Sequence, residues 1–182
     1  MDFVFLIYGK PACGKYTIAK ELSNIVDGYL LDNHFFNNIV FPYVTINNET
    51  LPYICESIYK IEDEFLNIVS KYKKENKSYI FTNVLLDNDS DKTFLEKIKM
   101  FSQKMNCRFV PIEVICTEEC IEKRIDTEDR KNRHKLTNMK DWKNFVDNVA
   151  FLDIKNHYEV NTSYKTIEET IEDIKKMHDL QN

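Results

Sequence analysis

Residues 9–17 read GKPACGKYT, the pattern G-x-x-x-x-G-K with a threonine one place late. The chemistry this arrangement serves is phosphate binding. Glycines let the backbone turn until several N–H groups point at phosphate oxygens, and the start of a helix adds a favourable dipole. The lysine then reaches the outer phosphates as a point charge. On this reading Gly9, Pro11, Ala12, Cys13, Gly14, Lys15, Tyr16 and Thr17 line a phosphate chain, with Lys15 the catalytic cation. The chain has only three glycines in 182 residues, so chance supplies roughly 0.0003 such matches and a bare glycine turn is the weaker account. Tyr16 takes the place where Ser or Thr normally ligates Mg²⁺, which leaves Thr17 as the hydroxyl for the metal.

A second concentration of chemistry lies at residues 123–136, KRIDTEDRKNRHKL. The chain has 25 Lys and Arg, of which only Arg108, Arg124, Arg130 and Arg133 are Arg, and three of these fall in this segment. Phosphoryl transfer needs cations that converge on developing charge, and Arg supplies that with planar bidentate geometry. A solvated charged loop is the plain alternative. Asp32, Asn33 and His34 form a third group. A carboxylate there orients an acceptor hydroxyl, takes its proton or holds Mg²⁺ through water, while His34 is a substrate contact; a simple helix cap is the competing account. Asn83 is a further substrate candidate and Asp87 a candidate for a metal-bound water, with a turn-forming Asp equally able to explain position 87.

These residues need elements that bring them together. The apolar run 3–8, ended by Gly9, reads as a strand buried on both faces. Ile18, Ala19 and Leu22 predict a helix over 15–24, and a short strand over 29–31 ends at Asp32. Ile54, Ile58, Ile61, Phe65, Ile68 and Tyr72 recur at helical intervals and, with Pro52 in the first turn, predict the longest helix over 50–72. Strands follow over 78–86 and 109–116, the second carrying Pro111, which suggests a bulge or an early position. Helices are expected over 91–105, 117–124 and 138–151, and a strand over 158–160. The capping box Thr166-Ile167-Glu168-Glu169 opens a last helix with Ile167, Ile171, Ile174 and Met177 inward. Strands alternating with helices imply an α/β fold whose parallel sheet is wrapped on both faces. Asp32 then emerges at the carboxyl edge, near the phosphate loop, where such sheets bind ligands.

The spacing G-x-P-x-x-G-K-x-T at 9–17 resembles the phosphate loop of adenylate kinases, and in its strand–turn–helix setting the chain looks like a P-loop kinase of the nucleoside-monophosphate kinase and shikimate kinase group. Asn33-His34 resembles the pair found in a shikimate kinase-like subgroup. The resemblance implies a three-layer P-loop NTPase fold with a five-stranded parallel sheet, in one domain spanning 1–182. Within it, 33–75 is an acceptor-binding helical region and 125–137 a mobile lid. ATP and Mg²⁺ are the implied cofactors, the metal held largely by phosphates and water. By the same resemblance Arg124 lies against the adenine or its phosphates, and Arg130, favoured over Arg133, closes on the transferred phosphate. Asp32 acts at the acceptor, and the backbone of Asn161 and Thr162 runs along the adenine. The activity implied is transfer of the γ-phosphoryl group of ATP to a small-molecule hydroxyl. A non-catalytic ATP-binding protein, favoured by Tyr16, and a nucleoside-monophosphate kinase are the alternatives. No Arg precedes Arg108, so a neutral polyol, nucleoside, sugar or antibiotic hydroxyl fits better than an anionic acceptor.

Composition sets the limits. With 43% hydrophobic and 30% charged residues, the chain reads as an ordinary soluble globular protein with room for one core. A net charge of −5 offers no general attraction to nucleic acid or membranes, so an anion must meet a local cationic pocket. Neither nucleic acid nor membrane is an expected partner, and a monomer or homodimer is expected. The acidic residue before a six-residue apolar run is wrong for a signal peptide. Five cysteines without metal spacing read as reduced thiols in a cytoplasmic protein. The base-reading N-K-x-D pattern is absent, which argues against a GTP switch.

Overall fold

The apolar run before Gly9 forms β1 (Phe3–Tyr8), and Val4, Phe5, Leu6 and Ile7 are fully buried because helices cover both faces of the sheet. The computed structural model describes residues 2–32, 34–132 and 135–178. After β1 come α1 (Lys15–Ile25), β2 (Gly28–Asp32), α2 (Phe35–Val40), a short 3₁₀ turn, α3 (Leu51–Lys71), β3 (Ser78–Asn83) and α4 (Asp89–Met105). The second half holds β4 (Arg108–Ile115), α5 (Glu118–Ile125), α6 (Glu128–Asn132), α7 (Met139–Asp147), β5 (Tyr158–Asn161) and α8 (Ile167–His178). The five strands are parallel in the order β2-β3-β1-β4-β5. The α/β fold with a five-stranded parallel sheet is therefore as expected.

Alternation along β1 divides the core into two layers. Val4, Leu6 and Tyr8 pack with Leu66 of α3 and Leu95, Ile98 and Phe101 of α4. Phe5 and Ile7 pack with Ile18 and Leu22 of α1 and with Ile171 and Ile174 of α8. Because β1 sits between β3 and β4, the chain changes direction across the sheet beside it. The carboxyl ends of β1, β2 and β3 thus border a crevice, the usual ligand position in such sheets.

Several local expectations change. On α3, Ile61, Ile68 and Tyr72 are 43%, 51% and 70% exposed, and the packed stripe runs instead through Ile58, Phe65, Leu66 and Val69. The helix carries more apolar residues than one stripe holds, and docking against the sheet and α4 selects among them. Met177 of α8 is likewise exposed. Pro111 makes no bulge: its pairing with Leu6 is in unbroken register, and the β4–β5 ladder starts only at Ile112, so on that side no strand awaits its missing N–H. The strand expected over 78–86 stops at Asn83, and the helix expected to reach 151 stops at Asp147; Leu86 and Phe151, beyond those ends, bridge one another. The capping box of α8 forms as read, Thr166 N–H donating to Glu169 Oε2 at 2.8 Å and Glu169 N–H to Thr166 Oγ1 at 3.2 Å.

Candidate active site

The turn after β1 depends on glycine at two positions. At Gly9 φ is +138°, and a Cβ there would stand 2.3 Å from the Val114 carbonyl oxygen of β4. At Gly14 φ is +100°, the left-handed geometry that turns the chain into α1. No side chain caps α1 and no acid occupies its first turn, so its first N–H groups stay available to an anion.

The loop is held from behind by elements distant in sequence. The Trp142 indole of α7 donates to the Pro11 carbonyl at 2.9 Å, and its ring is buried with Ala12, Ile121 and Ile125. The Thr162 hydroxyl, just past β5, donates to the Cys13 carbonyl at 3.0 Å. Arg124 in turn grips Thr162, donating through Nη1 to Oγ1 at 3.0 Å and through Nη2 to the carbonyl at 2.9 Å. The loop is thus anchored to α7 and, through Thr162, to α5 and the end of β5.

Lys15 folds back on the same loop, its ammonium donating to the Gly9 and Lys10 carbonyls at 2.8 and 2.7 Å. Burial pushes this ammonium below its ordinary pKa, and the charges of Lys135 and Arg130 push the same way. Asp32 and Thr82 face each other in the β2–β3 register, and the Thr82 hydroxyl donates to Asp32 Oδ1. The other oxygen, Oδ2, lies 3.5 Å from Lys135 Nζ and 3.7 Å from His34 Nδ1, and that imidazole nitrogen is buried with no hydrogen-bond partner. Burial alone would raise the Asp32 pKa, but the His34 imidazole, the Thr82 hydroxyl and the Lys135 charge outweigh it and hold the carboxyl down to about 2.

The arginine segment leans over this group. Arg130 donates through Nε and Nη2 to the Leu136 carbonyl, at 3.0 and 2.7 Å, closing the segment on itself. Lys135 lies 5.2 Å above the Tyr16 ring while it pairs with Asp32. Tyr16 is therefore a platform for a basic side chain at the position where a metal-binding hydroxyl is usual.

One cleft of about 700 Å³ collects these groups. Pro11, Ala12, Gly14, Lys15, Tyr16 and Thr17 form one wall, Asp32, His34 and Thr82 the floor, and Lys123, Arg124, Arg130 and Lys135 the opposite wall. Among the described lining residues, five Lys or Arg stand against one carboxylate, in a chain whose net charge is −5. Thr162 meets Gly14, Thr17 and Arg124 in an adjoining hollow. Cys13 is buried behind the loop. Asn161 bonds its own turn, accepting from Ser163 N–H at 2.8 Å. Asn83 lines a separate hollow of about 180 Å³ with Phe36, Tyr59 and Glu62, and Asp87 is ion-paired with Lys92 at 2.6 Å away from the cleft wall. Arg133 and Asn33 lie outside the described residues. The sequence alone assigns no site role to Lys135 or Trp142. Lys135 sits in a charged run with nothing to single it out, and the indole bond to Pro11 spans 131 residues.

No family model matches the sequence, and no curated protein matches it. Solved structures do align over nearly its whole length. A kinase candidate from Chloroflexus aurantiacus J-10-fl is 13% identical with a TM-score of 0.66, covering 96% of this chain and 97% of that one. A sugar kinase from Janibacter sp. is 13% identical with a TM-score of 0.60, covering 99% and 96%. The chain has the α/β fold of these structures. The Mycobacterium tuberculosis APS kinase, solved with AMPPNP and APS, shares that fold at 8% identity and a TM-score of 0.57, covering 98% of each chain.

Proposed function

We propose that this protein is an ATP-dependent phosphotransferase that moves the γ-phosphoryl group to a hydroxyl of a small, uncharged acceptor. The observation that carries this reading is the convergence, in one 700 Å³ cleft, of the phosphate loop, the Asp32–Thr82 pair and basic residues of the 123–136 segment. That volume suits a nucleotide with a small partner.

The residues fit both implied cofactors. For the phosphates of ATP, the uncapped start of α1 offers N–H groups, and Lys15 is held by the Gly9 and Lys10 carbonyls and the Cys13 sulfur, contacts that it can exchange for phosphate oxygens. For Mg²⁺, Thr17 and the ionised Asp32 are hard oxygen donors that would hold its waters. The metal would neutralise charge on the outer phosphates. Asp87, on its ion pair with Lys92, takes no part. Arg124 and Thr162 brace the loop and border the nucleotide. Arg130 trades the Leu136 carbonyl for the transferring group as 125–137 closes like a lid, which excludes water and limits hydrolysis.

Asp32 orients the acceptor hydroxyl. At a pKa of about 2 it stays ionised and accepts a hydrogen bond, and the loose transition state of phosphoryl transfer asks little more of a base. The acceptor is uncharged because the first 107 residues contain no Arg. With its hydroxyl at Asp32, the body of the acceptor has the separate hollow at α2 and α3 as its candidate seat, lined by Asn37, Asn83, Ser90, aromatic rings, Glu62 and Asp91, with no Lys or Arg among its described lining residues. Asp32→Asn tests the assignment: turnover is expected to fall at least about 100-fold with ATP affinity nearly unchanged, and unchanged turnover removes Asp32 from the mechanism.

A further inference from the structure

Across the sheet from the cleft floor, three neighbouring strands bring acidic and aromatic groups into one row. Tyr8 of β1 stands opposite Glu113 of β4, and Glu113 opposite Glu159 of β5. His157, one residue before β5, closes the row: its Nε2 lies 3.2 Å from Glu113 Oε2. One ligand atom from each of Glu113, His157 and Glu159 lies within 4.8 Å of the others. None of these residues takes part in the proposed phosphoryl transfer.

Two observations separate this row from an ordinary acidic patch. Tyr8 is 97% buried by its 3% exposure, yet its hydroxyl has no hydrogen-bond partner. The ring meets the His157 imidazole edge-on at 6.1 Å. In the parallel register Tyr8, Glu113 and Glu159 project from the same face of the sheet, so the hydroxyl shares its side with both carboxylates. The second observation is the imidazole itself. His157 Nδ1 lies 2.6 Å from the Ile154 carbonyl, a contact only an Nδ1–H can make, so in the neutral ring the lone pair of Nε2 faces a carboxylate oxygen. With Nδ1 tied to the carbonyl, Nε2 is the nitrogen left to meet a cation beside that carboxylate. Metal-binding histidines are oriented in this way, one nitrogen donating to a carbonyl while the other meets the ion. Two ligand atoms bound at about 2.0–2.1 Å to one ion stand about 2.9 Å apart at a right angle and about 3.3–3.4 Å apart at a tetrahedral one, and 3.2 Å lies between the two.

We propose that Glu113, His157 and Glu159 form a binding site for a divalent transition-metal ion of the Zn²⁺ or Mn²⁺ kind, with Tyr8 donating its hydroxyl to a bound carboxylate or water. One imidazole with carboxylates is a donor set these ions accept. Glu159 is exposed and His157 and Glu113 partly so, which leaves the ion an entry path. The site ties β1, β4 and β5 together at the residue immediately before Gly9, so it stiffens the strand that launches the phosphate loop. It is distinct from the Mg²⁺ that accompanies the nucleotide.

The test uses the full chain, stripped with chelator and titrated calorimetrically with ZnCl₂, then studied by X-ray absorption at the zinc edge. One equivalent is expected to bind at micromolar or lower concentration, with nitrogen and oxygen ligands including one imidazole. His157→Gln and Glu159→Gln should each weaken binding at least tenfold and Tyr8→Phe about tenfold, while Lys15→Ala leaves it unchanged. Glu159 is an exposed edge residue, so its variant keeps the fold, and the absorption spectrum needs no variant at all. Absence of binding below about 100 µM, sulfur scatterers from the cysteines, or equal affinity in Glu159→Gln would each overturn the proposal. A protonated His157 paired with Glu113 would then explain the 3.2 Å contact.

Discussion

Asp32 keeps company with a hydroxyl, an imidazole and an ammonium, and that company decides what it can do. Its folded pKa of about 2 against an ordinary 3.8 stabilises the folded state above the unfolded value. That contribution is lost as pH falls through 2, and it amounts to about 2 kcal/mol at neutral pH. Asp32→Asn is therefore expected to lower stability by about that amount at pH 7, with the gap closing toward pH 2; urea titrations across this range would show it, and a constant gap would mean that the carboxylate's charge is not involved. Lys135→Met removes one of the charges that hold Asp32 ionised, so the acid limb of the variant should move to higher pH. The turn at Gly9 and Gly14 with Lys15 folded onto it could be read from the residue string because it is local. Lys135 could not, because its meaning comes from the Tyr16 ring and the Asp32 carboxylate, both more than a hundred residues away.

At the level of elements, the loop proposed to hold phosphate is only as good as the strands and helices behind it. Gly9→Ala sets a Cβ against the rigid Val114 carbonyl at 2.3 Å, so loss of several kcal/mol of stability is expected, and a melting temperature within a degree of the parent would contradict the packing. On α3, burial raises the Glu62 carboxyl to about 7, with Asp63 adding to the rise and Lys97 opposing it. An acid with a raised folded pKa costs stability as pH climbs from about 4.5 to 7. Glu62→Gln should then stabilise by roughly 2–3 kcal/mol at pH 8 and by little at pH 4. The strands were legible because a doubly covered parallel sheet writes continuous apolar runs such as Phe3–Tyr8. The working face of α3 was not, because Ile61, Ile68 and Tyr72 keep helical spacing without being packed, and only docking reveals which stripe is used. At the end of β3, one residue of offset sends Thr82 to the cleft and Asn83 to the hollow under α3, a division that residue spacing alone does not reveal.

For the whole molecule, a net charge of −5 coexists with a cleft where five basic side chains meet one carboxylate. Such a pocket concentrates a polyanion locally without making the protein a general anion binder. Among the described residues no helix is long and apolar enough to cross a membrane. The closure proposed for 125–137 predicts that amide exchange in this segment slows when ATP is present, since Arg130 and Lys135 would then bind phosphate, while exchange in the central strand β1 stays as it was. Exchange in 125–137 that ignores ATP would leave Arg130 on Leu136 and remove the lid. The most direct test of the central claim is ATP consumption by the purified protein against a panel of sugars, polyols, nucleosides, nucleoside monophosphates and shikimate-like acids, with Lys15→Ala beside it. Turnover stimulated by an uncharged hydroxyl compound and absent in Lys15→Ala is the predicted result; no stimulation by any acceptor, or equal turnover in the variant, would contradict it.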